Sequence, residues 1–325
     1  MKQLLSTLLS LLSMNNSTES TTSALQKARH LTAPAVVSTD GGETEGLDFW
    51  TQHAPLLRKA WHEWEQTQQG LPVLDDSVFD HSLRAAIQRA WEAPETEDAI
   101  RLLWQPVAPQ VYAAQLVQPE RIPDIRAYMD AAADAGIPLR RPNGMNRFGM
   151  VLDDQTEGAF TAHGMDDWLK ILVNDYVRPL GRLFFREYVG AGDDSESYAF
   201  TIRYKEGEDQ ALREHADASL ITLNLNLNVP NETDYEGSTL YFVDDETGQH
   251  HPVNFRPGMA VLHRGLTRHA AQPIVRGERT NLVVWLFGKH GYVRFVPYEE
   301  REQLTRPERW KKPKSGGNKW ERIEL

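Results

Sequence analysis

Apolar residues follow a helical spacing through the first third of the chain. In one run, Leu47, Trp50, Leu57, Trp61 and Trp64 lie three, four or seven residues apart. The same spacing returns in a second run, formed by Phe79, Leu83, Ala86, Ile87, Ala90 and Trp91. Side chains with this period share one face of a helix. The pattern predicts a helical region over residues 47–107.

Two more amphipathic helices are predicted before the spacing changes. One extends from Pro119 to about Ala135, with Gly136 as its C-terminal stop. The other extends from about Met165 to Tyr176. Pro179 is expected to interrupt that second helix, because proline lacks a backbone N–H and clashes with the preceding turn.

After residue 190 the apolar period becomes two. Short runs rich in β-branched and aromatic residues are separated by turn-forming segments, and the runs are YAFTIRY, SLITLNLNLNV, STLYFVD, AVLHRG and TNLVVWLFG. Helices followed by closely spaced strands are typical of an antiparallel sandwich or barrel with helices packed outside it. We therefore predict a mainly β fold with flanking helices and an N-terminal helical region.

The strand at residues 220–229 has an unusual polar face. Its apolar face is continuous, whereas the opposite face carries Thr222, Asn224, Asn226 and Asn228. Asparagine is uncommon in strands, and a buried amide without a partner is costly. This face must meet a ligand, a hydrogen-bond network or, if the strand lies on the surface, water.

Composition narrows the possible chemistry. The 325-residue chain has a formal net charge of −11, which argues against broad binding to nucleic acid. It contains no cysteine, so any metal site must use His and carboxylate ligands. No apolar run is long enough to span a bilayer. A soluble or peripheral protein is expected.

The two ends of the chain differ in charge and composition. Residues 1–46 are predicted to form a flexible segment, because residues 14–46 have few large apolar groups. A short Leu/Ser run at the N-terminus resembles a weak signal peptide without a convincing cleavage site, so a cytoplasmic location is favoured over secretion. Residues 299–325 form a basic C-terminal tail, interpreted as solvated, with a docking arm as the alternative.

A candidate metal site stands just ahead of the polar strand. His215 and Asp217 are two residues apart, so they project to the same side of an extended segment. Two imidazoles and one carboxylate can hold non-haem Fe(II) and leave coordination positions open. The third ligand is expected from His263 or His269. Arg279 lies ten residues after His269, which favours His269, since a buried guanidinium there would need an anionic ligand.

The chain resembles the 2-oxoglutarate and Fe(II)-dependent dioxygenases that have a prolyl and lysyl hydroxylase catalytic domain. The resemblance covers roughly residues 108–290 and rests on AFTIRYKEGED, HADASLITLNLNLN, DYEGSTLYF and PGMAVLHRGLTRHAAQPIVRGERTNLVVW, in that order. RPNGMNRFGMVLD, at residues 141–153, resembles the branch containing 2-oxoglutarate and iron-dependent oxygenase domain-containing protein 2. The resemblance implies a double-stranded β-helix (jelly roll) over residues 108–298.

The resemblance also implies roles for individual residues. His215, Asp217 and His269 would hold iron, and Arg279 would pair with the distal carboxylate of 2-oxoglutarate. Further cosubstrate contacts are expected from Tyr204, Thr222, Asn224 and Asn226. Asn226 stands where oxygen-sensing prolyl hydroxylases have a Tyr, and Ser238 stands where many relatives have a Gly. Arg141, Asn143 and Asn146 are candidates for the substrate entrance.

The implied reaction hydroxylates a Pro or Lys side chain of a polypeptide, with Fe(II), 2-oxoglutarate and O2 as cofactors and ascorbate as a further expected cofactor. A protein or peptide substrate is thus the expected partner. Three alternatives remain open at this point. They are a non-catalytic jelly-roll scaffold, a zinc hydrolase that uses the same three ligands, and a nucleic-acid dealkylase that uses the basic tail, which the acidic remainder disfavours.

Overall fold

The computed structural model describes residues 22–34, 43–153, 155–232 and 234–311, with side chains described from residue 47 in the second range. Its helices are α1 (Ala24–Arg29), α2 (Glu43–Thr67), α3 (His81–Glu92), α4 (Asp98–Arg101), α5 (Ile122–Ala133), α6 (His163–Ile171), α7 (Arg178–Phe184) and α8 (Arg306–Arg309). Its strands are β1 (Gln105–Ala108), β2 (Val111–Gln115), β3 (Glu196–Lys205), β4 (Leu212–His215), β5 (Ile221–Asn226), β6 (Tyr235–Gly237), β7 (Leu240–Val243), β8 (His250–Val253), β9 (Met259–Arg264), β10 (His269–Ala271) and β11 (Ile274–Phe287).

The strands form two sheets in which every pairing is antiparallel. The larger sheet has the order β1-β2-β9-β5-β11-β3, and β6 pairs with the N-terminal end of β11. The smaller sheet has the order β4-β10-β7-β8. Neighbouring strands are mostly distant in sequence, as expected for a jelly roll. The predicted fold class, mainly β with flanking helices, is confirmed.

The alternation along β5 explains how the helices and the larger sheet pack. Ile221, Leu223 and Leu225 are fully buried, and they belong to the same apolar core as the buried Trp61 and Trp168 of the helical region. The opposite, polar face of β5 therefore lies between the two sheets. This arrangement brings polar side chains to the interior, where the candidate site is found.

Pro179 was expected to interrupt the second predicted helix, but the helix continues past it. Helix α6 continues through a π-helical stretch, Leu172–Val177, directly into α7, where Pro179 occupies the first turn. Proline is tolerated in the first turn of an α-helical segment, where its fixed φ suits the helix. The prediction of an interruption is wrong for this physical reason.

The ends of the described chain are more ordered than the composition suggested. Within the segment predicted to be flexible, α1 begins with a capping box at Ser23 and buries Leu25. Within the predicted basic tail, Arg309 and Trp310 are buried. The signal-like run at the N-terminus and residues 312–325 lie outside the described residues.

The boundary of the β domain also differs from the prediction. Strand β1 begins at Gln105, inside the range 47–107 that was predicted to be helical, and pairs with β2. None of the described helices combines the length and the hydropathy that crossing a bilayer requires.

Candidate metal and anion site

Three side chains able to bind a metal converge where the smaller sheet meets the start of β5. His215 ends β4 and His269 begins β10, and the antiparallel register of these strands places the two residues opposite each other. Asp217 lies in the turn between β4 and β5. One nitrogen or oxygen atom from each residue lies within 4.8 Å of those of the other two. These three residues, His215, Asp217 and His269, are called the triad below.

Hydrogen bonds to backbone carbonyls orient both imidazoles of the triad. Nδ1 of His215 lies 2.7 Å from the carbonyl oxygen of Arg213, and Nδ1 of His269 lies 2.9 Å from that of Thr267. A carbonyl oxygen can only accept a hydrogen bond, so each Nδ1 carries the proton and donates it. Nε2 is then the atom free to bind a metal. Both Nε2 atoms face Oδ1 of Asp217, at 3.5 Å and 3.8 Å.

Metal binding requires an ionised carboxylate and neutral imidazoles. The surroundings of Asp217 and His269 favour these forms. Burial opposes ionisation of Asp217, but the hydrogen bond with His215 and the nearby imidazoles hold its pKa well below the usual range. Burial lowers the pKa of His269 and favours its neutral form. Burial also acts to lower the pKa of His215, but contacts with Asp217 and the carbonyl of Arg213 raise it overall. Metal binding would require the neutral form of His215.

One cavity is lined by both the triad and Arg279. Tyr204, Thr222 and Asn224, which were expected to contact the cosubstrate, also line this cavity. Thr222 has a second role, since its hydroxyl donates a 2.6 Å hydrogen bond to Oδ2 of Asp217.

Arg279 is buried, with only 1% of its surface exposed. Its guanidinium donates to the carbonyl oxygen of Ser238 and lies over the ring of Tyr204, with 4.8 Å between Cζ and the ring centroid. Ser238 has a φ of +49°, the left-handed region that Gly favours. Nε of Arg279 has no hydrogen-bond partner, and within the described part of the chain no acidic side chain forms an ion pair with it. A buried unpaired cation of this kind is costly without an anionic ligand.

Asn226 does not line the cavity, in contrast to the prediction. It is fully buried, its Nδ2 donates to the carbonyl oxygen of Phe255 at 2.9 Å, and its Oδ1 accepts from the backbone N–H of Asn228 at 2.8 Å. Asn228 in turn donates to the carbonyl oxygen of Glu278. The polar face of β5 thus has two parts. Thr222 and Asn224 line the cavity, whereas Asn226 forms hydrogen bonds with backbone groups.

His263 lies beside the triad without joining it. Its Nε2 is 3.9 Å from Oδ2 of Asp217 and has no hydrogen-bond partner, while its Nδ1 lies 2.8 Å from the carbonyl oxygen of Arg264. Complete burial and the neighbouring His269 lower the pKa of His263 to about 3. His269, and not His263, forms the triad, in agreement with the preference drawn from the position of Arg279.

Two aromatic residues that line the cavity, Phe200 and Trp285, had no site role predicted from the sequence. Phe200 of β3 and Trp285 of β11 pack edge to face, with 5.3 Å between ring centroids, and both line the cavity. Their positions follow from strand alternation, since Phe200 shares a face with Tyr204, and Trp285 shares one with Arg279. Met145 also lines the cavity, together with Asn143 and Asn146, but no sequence pattern identified it.

Comparisons with known proteins agree with this geometry. Residues 61–190 match the OGFOD2-like domain, and residues 193–288 match the 2OG-Fe(II) oxygenase superfamily. Both matches fall in the expected order, with the triad and Arg279 inside the second. The resemblance proposed from sequence motifs is confirmed.

Three curated relatives illustrate the range of similarity. The 2-oxoglutarate and iron-dependent oxygenase domain-containing protein CP2 of Arabidopsis thaliana is 30% identical over 58% of this chain and 48% of its own length. The 2-oxoglutarate and iron-dependent oxygenase domain-containing protein 2 of Danio rerio is 27% identical over 72% of this chain and 70% of its own length. Procollagen-lysine,2-oxoglutarate 5-dioxygenase 1 of Rattus norvegicus is 38% identical over 35% of this chain and 15% of its own length.

The chain spans about half the length of the Arabidopsis relative. Within that span the two family matches together account for residues 61–190 and 193–288. The chain therefore carries an OGFOD2-like domain at residues 61–190 and, at residues 193–288, a 2OG-Fe(II) oxygenase superfamily domain that contains the His–Asp–His triad.

Proposed function

We propose that this protein is an Fe(II)- and 2-oxoglutarate-dependent dioxygenase that hydroxylates a side chain of a polypeptide. The observation that carries the proposal is that one cavity contains both the triad and the buried, anion-free guanidinium of Arg279. A dicarboxylate would satisfy the guanidinium at one end and reach the metal at the other. Fe(II) with 2-oxoglutarate and O2 would supply the oxidation, in which 2-oxoglutarate loses CO2 to become succinate and one oxygen atom enters a substrate C–H bond.

The residues present fit that metal. Two neutral imidazoles and one carboxylate are the donor set that suits Fe(II) and leaves coordination positions free for other ligands. His215 and His269 would bind through Nε2, since their Nδ1 atoms donate to carbonyls. Asp217 would bind through Oδ1, because Oδ2 already accepts from Thr222.

The walls of the cavity favour an uncharged substrate side chain. The described residues that line it include no carboxylate apart from Asp217 of the triad, so a lysine ammonium would lack an anionic partner there. Phe200 and Trp285 offer an aromatic surface for an apolar ring or chain. This supports Pro over Lys, although the name of the rat relative is procollagen-lysine,2-oxoglutarate 5-dioxygenase 1.

The proposed activity is tested by succinate formation from 2-oxoglutarate with Fe(II) present, and by mass spectrometry of polypeptides that gain one oxygen atom. His215→Ala and Asp217→Ala are expected to abolish both, because each removes a metal ligand. Unchanged turnover in either variant would remove the assignment. Addition of ascorbate tests whether ascorbate is also required for sustained turnover.

Two of the three alternatives, the zinc hydrolase and the non-catalytic scaffold, predict different outcomes. A zinc hydrolase on the same ligands would act without 2-oxoglutarate, and it gives Arg279 no role. A scaffold without catalysis would fold normally but bind neither Fe(II) nor Mn(II). Metal analysis of the purified protein, followed by a search for 2-oxoglutarate dependence, separates the three. The compartment in which the protein works stays a prediction.

A further inference from the structure

The OGFOD2-like domain contributes one wall of the cavity. Among the described residues that line it, only Asn143, Met145 and Asn146 precede the oxygenase match at residues 193–288. They belong to the 143–149 loop, which lies between α5 and α6 in the chain and is hydrogen-bonded to β3. The loop therefore links the two domains at the cavity.

The 143–149 loop is held rigidly against β3. Oδ1 of Asn143 accepts from the backbone N–H of Met145 at 2.9 Å and of Asn146 at 2.7 Å, which closes a tight turn. The buried carboxylate of Asp209 accepts from the backbone N–H groups of Arg147 and Phe148.

Gly149 completes this attachment. Its φ is +141°, and a Cβ atom there would lie 1.9 Å from the carbonyl oxygen of Thr201. Only glycine permits this close approach of the loop to β3. The hydrogen bonds to Asp209 and the close approach of Gly149 to Thr201 thus fix the position of the loop against β3.

Asn146 is the loop residue that reaches the cosubstrate side of the cavity. It is 2% exposed, and its Nδ2 donates to the Tyr204 hydroxyl oxygen at 3.4 Å. Nδ2 of Asn143 lies 3.5 Å from Oδ1 of Asn146, which directs the amide so that its NH2 group faces Tyr204. Nothing in the proposed reaction requires this amide directly.

The contact determines which way the Tyr204 hydroxyl can donate. A phenol oxygen that accepts from Asn146 keeps its own proton free for another acceptor. Burial raises the pKa of Tyr204, so the proton is retained at neutral pH. The ring of Tyr204 lies under the Arg279 guanidinium, so the phenol O–H and the guanidinium are adjacent donors on one cavity wall.

We infer that Asn146 is a positioning residue for the anion site, and that it holds the Tyr204 hydroxyl so that its proton meets the distal carboxylate of 2-oxoglutarate beside Arg279. The inference rests on the proposed function, because it assumes that 2-oxoglutarate is the anion. It adds that the OGFOD2-like domain, and not the oxygenase domain alone, sets cosubstrate affinity.

The test measures binding of 2-oxoglutarate to the Mn(II)-loaded full-length protein by calorimetry, with pyruvate as a ligand that lacks the distal carboxylate. Asn146→Ala is expected to weaken 2-oxoglutarate binding roughly 3- to 10-fold, the effect of one neutral hydrogen bond. Pyruvate binding is expected to stay unchanged. In a Tyr204→Phe background, Asn146→Ala is expected to have no further effect, because the two residues act through one hydroxyl.

Two other variants complete the test. Asn146→Asp keeps the side-chain shape but puts an acceptor where the NH2 group donates, so it is expected to weaken 2-oxoglutarate binding at least as much as the alanine. Asp134→Ala changes an exposed side chain of the same domain, just after α5, and is expected to bind 2-oxoglutarate like wild type.

The outcomes separate the inference from the proposed function. Wild-type protein that fails to bind 2-oxoglutarate would overturn both. Wild-type binding together with unchanged affinity in Asn146→Ala and Asn146→Asp would leave the proposed function standing and remove the role of Asn146. Equal weakening of pyruvate and 2-oxoglutarate, or full weakening in the Tyr204→Phe background, would also overturn the inference.

Discussion

Thr222 donates a 2.6 Å hydrogen bond to Oδ2 of Asp217, while Oδ1 of that carboxylate faces the triad imidazoles. Thr222 lies at the start of β5, and its hydroxyl also lies 2.8 Å from that of Ser219. The two oxygens of Asp217 therefore have separate roles, one held by the strand and one directed at the metal position. The start of β5 is part of the candidate metal site.

Thr222→Val is predicted to weaken metal binding roughly 10- to 100-fold, since valine keeps the shape of threonine but cannot donate to Asp217. Titration of the metal-free protein with Mn(II) measures this change. Thr222→Ser keeps the hydroxyl and should bind metal nearly as tightly as wild type. Wild-type Mn(II) affinity in the valine variant would show that Asp217 does not depend on this hydrogen bond.

Arg279→Met is predicted to separate stability from ligand binding. Without an anion the buried guanidinium lacks an ion-pair partner among the described residues, so an apolar side chain of similar length should leave the metal-free protein as stable or more stable. The variant should lose the stabilisation by 2-oxoglutarate, which reaches about 2.7 kcal/mol for wild type at a ligand concentration of 100 Kd. Thermal unfolding with Mn(II), with and without 2-oxoglutarate, measures both effects.

Arg279→Lys is the matched variant for this comparison. It retains the positive charge but not the planar fork that grips a carboxylate at two points, so it should keep only part of the 2-oxoglutarate stabilisation. A methionine variant that is still stabilised by 2-oxoglutarate to the wild-type extent would exclude Arg279 as the anion-binding residue.

The strands and the common side of His215 and Asp217 were predictable because they depend on short-range rules. Alternation identified β3, β5, β7, β9 and β11, and the spacing of His215 and Asp217 placed both on one side of the chain. The choice of His269 over His263 needed the position of Arg279 as well. These rules operate within about ten residues, so one sequence is enough to apply them.

The parts that escaped prediction depend on long-range contacts. Asn226 has the same side-chain chemistry as Asn224, but only the fold reveals that the Phe255 carbonyl lies within reach of one and the cavity beside the other. The cavity role of Met145 depends in the same way on how its loop docks against β3. Propensity and periodicity carry no information on such contacts.

The C-terminal segment gives a further example, because a single buried acid anchors it. Glu97 is fully buried, and it accepts hydrogen bonds from the guanidinium of Arg309 and, at 2.9 Å, from the indole N–H of Trp310. Trp310 also packs edge to face on Trp91, with 5.3 Å between centroids. Basic composition alone predicted a solvated tail, whereas the partner of Arg309 lies more than 200 residues earlier.

Glu97→Gln is predicted to destabilise the protein by about 3–5 kcal/mol, because it leaves the buried Arg309 without its counter-charge. Denaturant unfolding of the full chain measures this loss. Asp98→Asn is the matched control, since Asp98 pairs with Arg306 at an exposed position and should cost at most about 1 kcal/mol. Equal stability of the Glu97 variant and wild type would contradict the anchoring role.

His62 on α2 stacks on His163 at the start of α6, with 3.8 Å between ring centroids. Burial, and then the neighbouring His163, lower the pKa of His62 below its ordinary value of 6.5, and Glu65 opposes this shift only in part. The folded state therefore binds fewer protons at His62 than the unfolded state does near that pH. Its contribution to stability is complete above pH 6.5 and is lost as the pH falls below it.

The free energy of unfolding is thus predicted to decrease between pH 7 and about pH 5.5, and His62→Phe should remove part of this decrease while keeping the ring stack. Denaturant unfolding of both proteins across this range measures the difference in slope. His81→Gln, at an exposed position on α3, should keep the wild-type slope. A His62→Phe variant with the full wild-type slope would assign the pH dependence to other groups, because the stacked pair would then contribute none of it.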